Sequence, residues 1–100
     1  MHTTQLTLLT IICEAILKDR VLEELTQAGA KGHTLTECEG SGSRHRRVGE
    51  ILGANIKVET IVSSTVAERL LTVLANDYFP KFAVIAYVSP VSVIRGEKYI

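Results

Sequence analysis

The sequence predicts an α+β fold whose strands and helices follow the order β-α-β-β-α-β. Three features indicate this order: four short runs rich in β-branched residues, two amphipathic helical segments, and a long polar connection between the second and third runs. Right-handed crossovers place the first and second strands parallel, with the third strand between them and both helices on one face of an antiparallel sheet. This arrangement is the ferredoxin-like plan.

The first half of the chain provides a strand, a helix and a second strand. Residues 5–12, QLTLLTII, are predicted to form the first strand, and the period then changes to that of an amphipathic helix over residues 14–29. Gly29 can end this helix because glycine readily adopts a left-handed conformation. HTLTECE, residues 33–39, is the predicted second strand. The side chains predicted to bury the first helix are Leu17, Val21, Leu25 and Ala28.

The third strand and the second helix follow the polar connection. NIKVETIV, residues 55–62, alternates, with Ile56, Val58, Thr60 and Val62 on one side. The second helix is predicted over residues 63–79 and is ended by Pro80. Thr65 and Glu68 have the spacing of a capping box. The side chains predicted to bury this helix are Val66, Leu70, Val73 and Leu74.

The last predicted strand, residues 82–91, is apolar on both faces. A sheet with helices on one side and water on the other alternates apolar with polar residues. Ala83, Ile85 and Tyr87 therefore indicate that the second face is buried against another copy of the chain. A hydrophobic fraction of 46%, rich for a small monomer, points the same way.

Length and composition limit the class of protein. One hundred residues predict a single domain over residues 1–100. The 11 basic and 11 acidic residues balance, which argues against a nucleic-acid binder. Cys13 and Cys38 belong to no CxxC pair and are expected to lie two strands apart, too far for a disulfide. Neither a signal peptide nor a membrane-spanning run is found, so a cytoplasmic location is expected.

The polar connection carries the strongest functional signal. GSGSRHRR, residues 40–47, combines free backbone, the hydroxyls of Ser41 and Ser43, and three arginines. Glycine-rich backbone turns N–H groups toward an anion, and guanidinium forks match phosphate. The segment therefore predicts anion binding, although it fits neither the Walker pattern nor GxGxxG. A solvated loop without a ligand is the alternative.

Metal and catalytic sites are not indicated. His33, Cys38 and His45 match no zinc spacing, and no metal site or catalytic residue is predicted. One enzyme stays as an alternative, a small acylphosphatase, because that fold also holds phosphate with an arginine and uses an asparagine. Arg44 and Asn55 could serve, but the acylphosphatase arginine follows the first strand, and IICEAIL offers none there.

These residues resemble the PII-like signalling proteins, nearest the carbon-related SbtB branch. That family has a glycine and a threonine at the start of the second strand, then Gly-x-Gly-Ser-Arg-x-x-Arg, then Asn-Ile-Lys. The resemblance covers residues 5–95 in order and length. The matching positions are Gly32, Thr34, Gly40, Gly42, Ser43, Arg44, Arg47, Asn55, Ile56 and Lys57.

The resemblance implies a homotrimeric regulatory protein, not an enzyme, with adenine nucleotides in the clefts between protomers. Residues 40–53 would be the T-loop, whose base contacts ligand and whose tip meets a partner, a membrane transporter such as one for bicarbonate. The glycine-rich loop that ATP-binding members carry before the last strand is absent, which favours AMP, ADP or cAMP. The implied ligand-binding residues are Gly32, Thr34, Gly40, Ser41, Gly42, Ser43, Arg44, Arg47 and Asn55.

Overall fold

The computed structural model describes residues 1–40 and 54–100. Four strands form one antiparallel sheet in the order β2-β3-β1-β4, which confirms the predicted ferredoxin-like topology. Two helices connect the strands along the chain. The elements are β1 (Thr4–Glu14), α1 (Lys18–Ala28), β2 (Thr34–Cys38), β3 (Asn55–Val62), α2 (Ser64–Val73) and β4 (Ile85–Val93).

The core lies between the sheet and the helices. Leu9 and Ile11 of β1 are fully buried, and Ile11 lies opposite Val58 of β3. Alternate residues of β3 are buried from Ile56 to Val62, which confirms the predicted faces of this strand. The core cluster also contains all four residues predicted to bury the first helix, Leu17, Val21, Leu25 and Ala28, of which Leu17 lies just before α1.

The two ends of α1 follow from local geometry. The predicted start at residue 14 is wrong, because Glu14 continues β1 by pairing with Asn55. A 3₁₀ turn, Ala15–Leu17, then leads into the α-helix at Lys18. At the other end Gly29 has φ 105°, and the N–H of Ala30 donates to the Leu25 carbonyl at 3.0 Å. The prediction that Gly29 ends the helix in a left-handed conformation is confirmed.

Helix α2 begins and ends differently from its prediction. Its capping residue is Ser63, whose hydroxyl accepts a hydrogen bond from the Val66 N–H at 3.2 Å, so the prediction of Thr65 is wrong. After Val73 the chain continues as a π-helical turn, in which the Phe79 N–H donates to the Leu74 carbonyl at 2.8 Å. Val66 and Val73 are only partly buried, whereas the buried side chains are Ala67, Leu70, Leu74 and Tyr78.

Strand β4 begins at Ile85 and ends at Val93, later at both ends than the predicted range of residues 82–91. The N–H groups of Lys81 and Phe82 both donate to the Tyr78 carbonyl, which holds these residues in a turn and delays the strand to Ile85. The strand then continues through Pro90, which a sheet edge tolerates because one side of the backbone needs no donor. Ile85 and Tyr87 are 55% and 49% exposed in the protomer.

No helix within residues 1–40 and 54–100 is both long and apolar enough to cross a bilayer.

Candidate functional site

The candidate site begins where the β2–β3 connection leaves the sheet. Cys38 and Asn55 form the last pair of the β2–β3 ladder. A Cβ atom built on Gly40 would lie 3.9 Å from Asn55 Nδ2, so the glycine backbone and the amide are neighbours. The structure thus brings two of the predicted ligand-binding residues together, and the amide offers both donors and an acceptor there.

The end of β3 holds this base against the rest of the fold. The Ala15 N–H donates to the Ala54 carbonyl at 2.9 Å, immediately before Asn55. On its other side Asn55 pairs with Glu14 of β1. The backbone that enters β3 is therefore fixed by the turn between β1 and α1. This contact fixes the backbone position of Asn55 at the base of the connection.

A second group of predicted residues lies at the other end of β2. Thr34 is exposed and pairs with Glu59. Gly32 is also exposed, and its carbonyl accepts a hydrogen bond of 2.7 Å from the hydroxyl of Thr60. Thr60 is itself only 2% exposed. The hydrogen bond fixes the backbone before β2 to the centre of the sheet.

Thr60 is the positioning residue that sequence reasoning missed. The alternation of β3 placed it correctly on the buried face, between Val58 and Val62. A hydroxyl in an apolar row needs a hydrogen-bond partner, and this need was the available signal. The partner could not be named, because Gly32 lies 28 residues away along the chain.

The two groups are far apart within one protomer. From Thr34 to Gly40, six residues of extended chain span up to about 20 Å. A mononucleotide is shorter than this. Ser41, Gly42, Ser43, Arg44 and Arg47, which were predicted to hold phosphate, lie outside the described residues.

The cysteines beside the loop base are both free, as expected from the sequence. Cys13 of β1 pairs with Ile56 and belongs to the core, whereas Cys38 is half-buried on β2, two strands away. Burial, and then the negative charge of Glu14, raises the pKa of the Cys13 thiol to about 11. A thiol that stays protonated at neutral pH is a poor nucleophile, so Cys13 acts as a small apolar side chain.

Among the residues that the structure describes, no three His, Cys, Asp or Glu side chains come together as metal ligands. His33 is exposed just before β2, and His45 lies outside the described residues.

The sheet order β2-β3-β1-β4 and the two helices that connect its strands define a ferredoxin-like protein. The chain belongs to the nitrogen regulatory protein P-II family, whose family model matches residues 6–98. Proteins of this family are signalling regulators and not enzymes, so the acylphosphatase alternative is wrong. The SbtB branch within the family stays a prediction.

Solved structures agree with this assignment. A PII-like signalling protein from Thermus thermophilus is 50% identical, with a TM-score of 0.88 and 100% of each chain covered. CPII from Thiomonas intermedia K12, bound to ADP, AMP and acetate, is 25% identical, with a TM-score of 0.86 over 99% of this chain and 98% of CPII. CPII bound to ADP and bicarbonate is 26% identical, with a TM-score of 0.86 over 98% and 97%.

Proposed function

We propose that this protein senses an adenine nucleotide such as AMP, ADP or cAMP in clefts between the protomers of a homotrimer. The whole of residues 1–100 forms one domain, and residues 40–53 form its T-loop. Nucleotide binding changes the conformation of the T-loop and thereby the affinity for a protein partner. The main support is the relative from Thiomonas intermedia K12, which has the same fold and was solved with ADP and AMP.

The separation of the two candidate groups supports a site between protomers. Gly32 and Thr34 lie at one end of β2, and Gly40 and Asn55 lie at the other. One mononucleotide is too short to span them within a protomer. Both groups can contact the same ligand only when one protomer contributes the start of its β2 and its neighbour contributes its loop base.

The exposed sheet face supports assembly. Ile85 of β4 pairs with Ile12 of β1, and Tyr87 pairs with Thr10. These four side chains and Leu8 of β1 therefore lie on one face of the sheet. Large apolar side chains left about half exposed favour burial against another copy of the chain. Burying such side chains contributes roughly 25 cal/mol for each Å² removed from water.

The loop residues are proposed to hold the phosphates. Gly42 and Ser43 would donate backbone and hydroxyl hydrogen bonds, and Arg44 and Arg47 would add charge-assisted ones, each contributing about 1.5–3 kcal/mol. Since a ligand shifts a loop equilibrium only by its differential affinity for the two states, the phosphate contacts must exist in one loop state and not in the other.

The partner is proposed to be a membrane transporter, such as a bicarbonate transporter. The resemblance of residues 40–57 to the carbon-related branch favours this partner. The relative CPII was solved with ADP and bicarbonate, so a protein of this fold binds the same small anion.

Calorimetric titration of AMP, ADP, ATP and cAMP tests the nucleotide assignment. We expect saturable binding of at least one, no turnover, and roughly ten-fold or greater weakening in Arg44→Ala, from the loss of a charge-assisted bond. Arg46→Ala is the matched control, since it removes the same charge from a position to which no role is given.

Two results would contradict the proposal. Unchanged affinity in Arg44→Ala would remove the phosphate assignment, and equal losses in Arg44→Ala and Arg46→Ala would reduce it to general electrostatic attraction. Sedimentation equilibrium tests the assembly separately, because a chain that stays monomeric at high concentration has no cleft between protomers.

A further inference from the structure

The exposed sheet face, which lies on the side away from the helices and the core, has two halves of different character. Residues that pair across neighbouring strands point to the same face. The register joins two rows of side chains across all four strands of this face: Tyr87, Thr10, Glu59 and Thr34 in the first row, and Ile85, Ile12, Lys57 and Thr36 in the second. Strands β1 and β4 therefore form the mostly apolar half of the face, and β2 and β3 form the polar half.

Lys57 and Glu59 place two opposite charges in the polar half. They are two positions apart on β3, so their side chains leave the sheet on the same face, about 7 Å from each other along the strand. Both side chains are half-buried in the single protomer. Their row neighbours on β1 and β2 are three threonines and Ile12, none of which is charged. Neither charge therefore has an opposite charge beside it in its own row.

Thr10 shows that the side chains of this face pack closely. It lies in the first row, between Tyr87 of β4 and Glu59 of β3, yet its exposed fraction is only 2%. The neighbouring side chains of the face therefore cover it, because no helix lies on this side. The face is a closed surface and not a row of freely extended side chains, so a second protein surface can pack against it.

A second copy of the chain that covers this face takes both charges out of water. A charge that is buried without an opposite partner strongly destabilises an interface. In a closed ring every contact between neighbours is the same, so a face with charges of one sign would bring like charges together. This face has one charge of each sign. Each copy can therefore supply the opposite charge that its neighbour lacks.

We propose that Lys57 of one protomer forms an ion pair with Glu59 of its neighbour, and that this pair fixes the register in which the protomers assemble. The inference rests on the homotrimer of the proposed function and adds the residues that align its protomers. The apolar half of the face favours burial in any register, because hydrophobic contact is not directional. The ion pair selects one register, because a displaced neighbour leaves both charges buried without a partner.

Charge reversal tests the pair by sedimentation equilibrium of the full chain. Lys57→Glu leaves two negative charges at this pair of positions, and Glu59→Lys leaves two positive ones. We expect the concentration at which half of the chains assemble to rise about ten-fold or more in each variant. An equimolar mixture of the two variants should recover assembly, because opposite charges then meet between protomers. Lys57→Glu/Glu59→Lys should assemble like wild type.

Matched controls separate the pair from a general effect of charge and from loss of the fold. Lys18→Glu and Glu68→Lys make the same changes at exposed positions of the two helices, and we expect assembly within about two-fold of wild type. Circular dichroism checks that each variant is folded. Lys57→Gln removes the charge without reversing it and serves if a reversed variant is unfolded; we expect about three-fold weaker assembly or more.

Several outcomes would overturn the proposal. Normal assembly of both reversed variants, while Ile85→Asp still yields monomers, would remove the ion pair and leave the homotrimer standing. A mixture of folded reversed variants that stays dissociated would show that the two charges do not meet between protomers. Equal weakening in the helix controls would make the effect general repulsion. A wild-type chain that stays monomeric at high concentration would overturn the homotrimer and the ion pair together.

Discussion

Thr60 offers the sharpest test, because its two side-chain groups do different things. The hydroxyl donates to the Gly32 carbonyl at 2.7 Å, and the methyl group packs in a site that is 2% exposed. Thr60→Val removes the hydrogen bond, and Thr60→Ser removes the methyl group. The proposed ligand contact at Gly32 depends on the hydrogen bond and not on the methyl group. The two variants should therefore differ in which property they lose, nucleotide affinity or stability.

The magnitudes follow from the two groups. In Thr60→Val the lost hydrogen bond costs about 1 kcal/mol, and the added buried methyl group returns about 0.8 kcal/mol. Gly32 is exposed, so its freed carbonyl can bind water. The free energy of unfolding should stay within about 0.5 kcal/mol of wild type, whereas Thr60→Ser should lose about 1 kcal/mol.

Nucleotide affinity should show the opposite pattern. Without its hydrogen bond the Gly32 backbone is less ordered, and we expect about five-fold weaker binding in Thr60→Val, equivalent to about 1 kcal/mol. Thr60→Ser should bind like wild type. Urea denaturation and calorimetry measure the two quantities. The reasoning fails if Thr60→Val keeps full affinity, or if affinity falls in proportion to stability in both variants.

Three further predictions concern assembly, capping and pH. Ile85→Asp on the exposed sheet face should yield monomers by light scattering, whereas Phe79→Asp, 41% exposed on the helical side, should assemble normally. Ser63→Ala should cost about 1 kcal/mol in urea denaturation, and Thr65→Ala should cost clearly less, since Ser63 is the capping residue. The pKa of Cys13, raised to about 11, lies above its ordinary value of 9.0. The protonated thiol thus stabilises the fold below about pH 9, and roughly 2–3 kcal/mol should be lost as the pH rises through 11, a loss that Cys13→Ala should not show.

The elements that were predicted best are those with a long, uniform period. The four buried residues predicted for the first helix and the alternation of β3 were assigned correctly because each periodic side chain contributes to the same signal. Gly29 was assigned correctly because its left-handed φ depends on its own backbone. Each of these features is encoded within a few neighbouring residues.

Element ends were predicted less well, because adjacent residues compete for the same role. Ser63 and Thr65 both have capping hydroxyls, and the backbone geometry at Ser63 decides between them. Strand β1 extends through Glu14 because it finds a partner in Asn55, which lies 41 positions further along the chain. The π-helical turn buries Tyr78 through contacts that helical periodicity does not contain.

For the candidate site too, some features could be predicted from sequence and others depend on the fold. Residue types alone indicated an anion-binding loop, because glycine backbone and arginine forks have that chemistry wherever they lie. The link between Gly32 and Thr60, and the contact between Gly40 and Asn55, depend on the sheet register. The assignment of Arg44 and Arg47 to phosphate remains a prediction from sequence.

The amino-acid order alone determined the succession of strands and helices, the faces that the first helix and β3 bury, the family and the chemistry of the long connection. These properties arise from neighbouring residues, whose spacing is constant in any fold. The tertiary structure decided that Thr60 holds Gly32 and that Arg20 stacks on Tyr78 and Phe82. Such contacts join residues separated by tens of positions, and only the packing of the chain brings them within reach of one another.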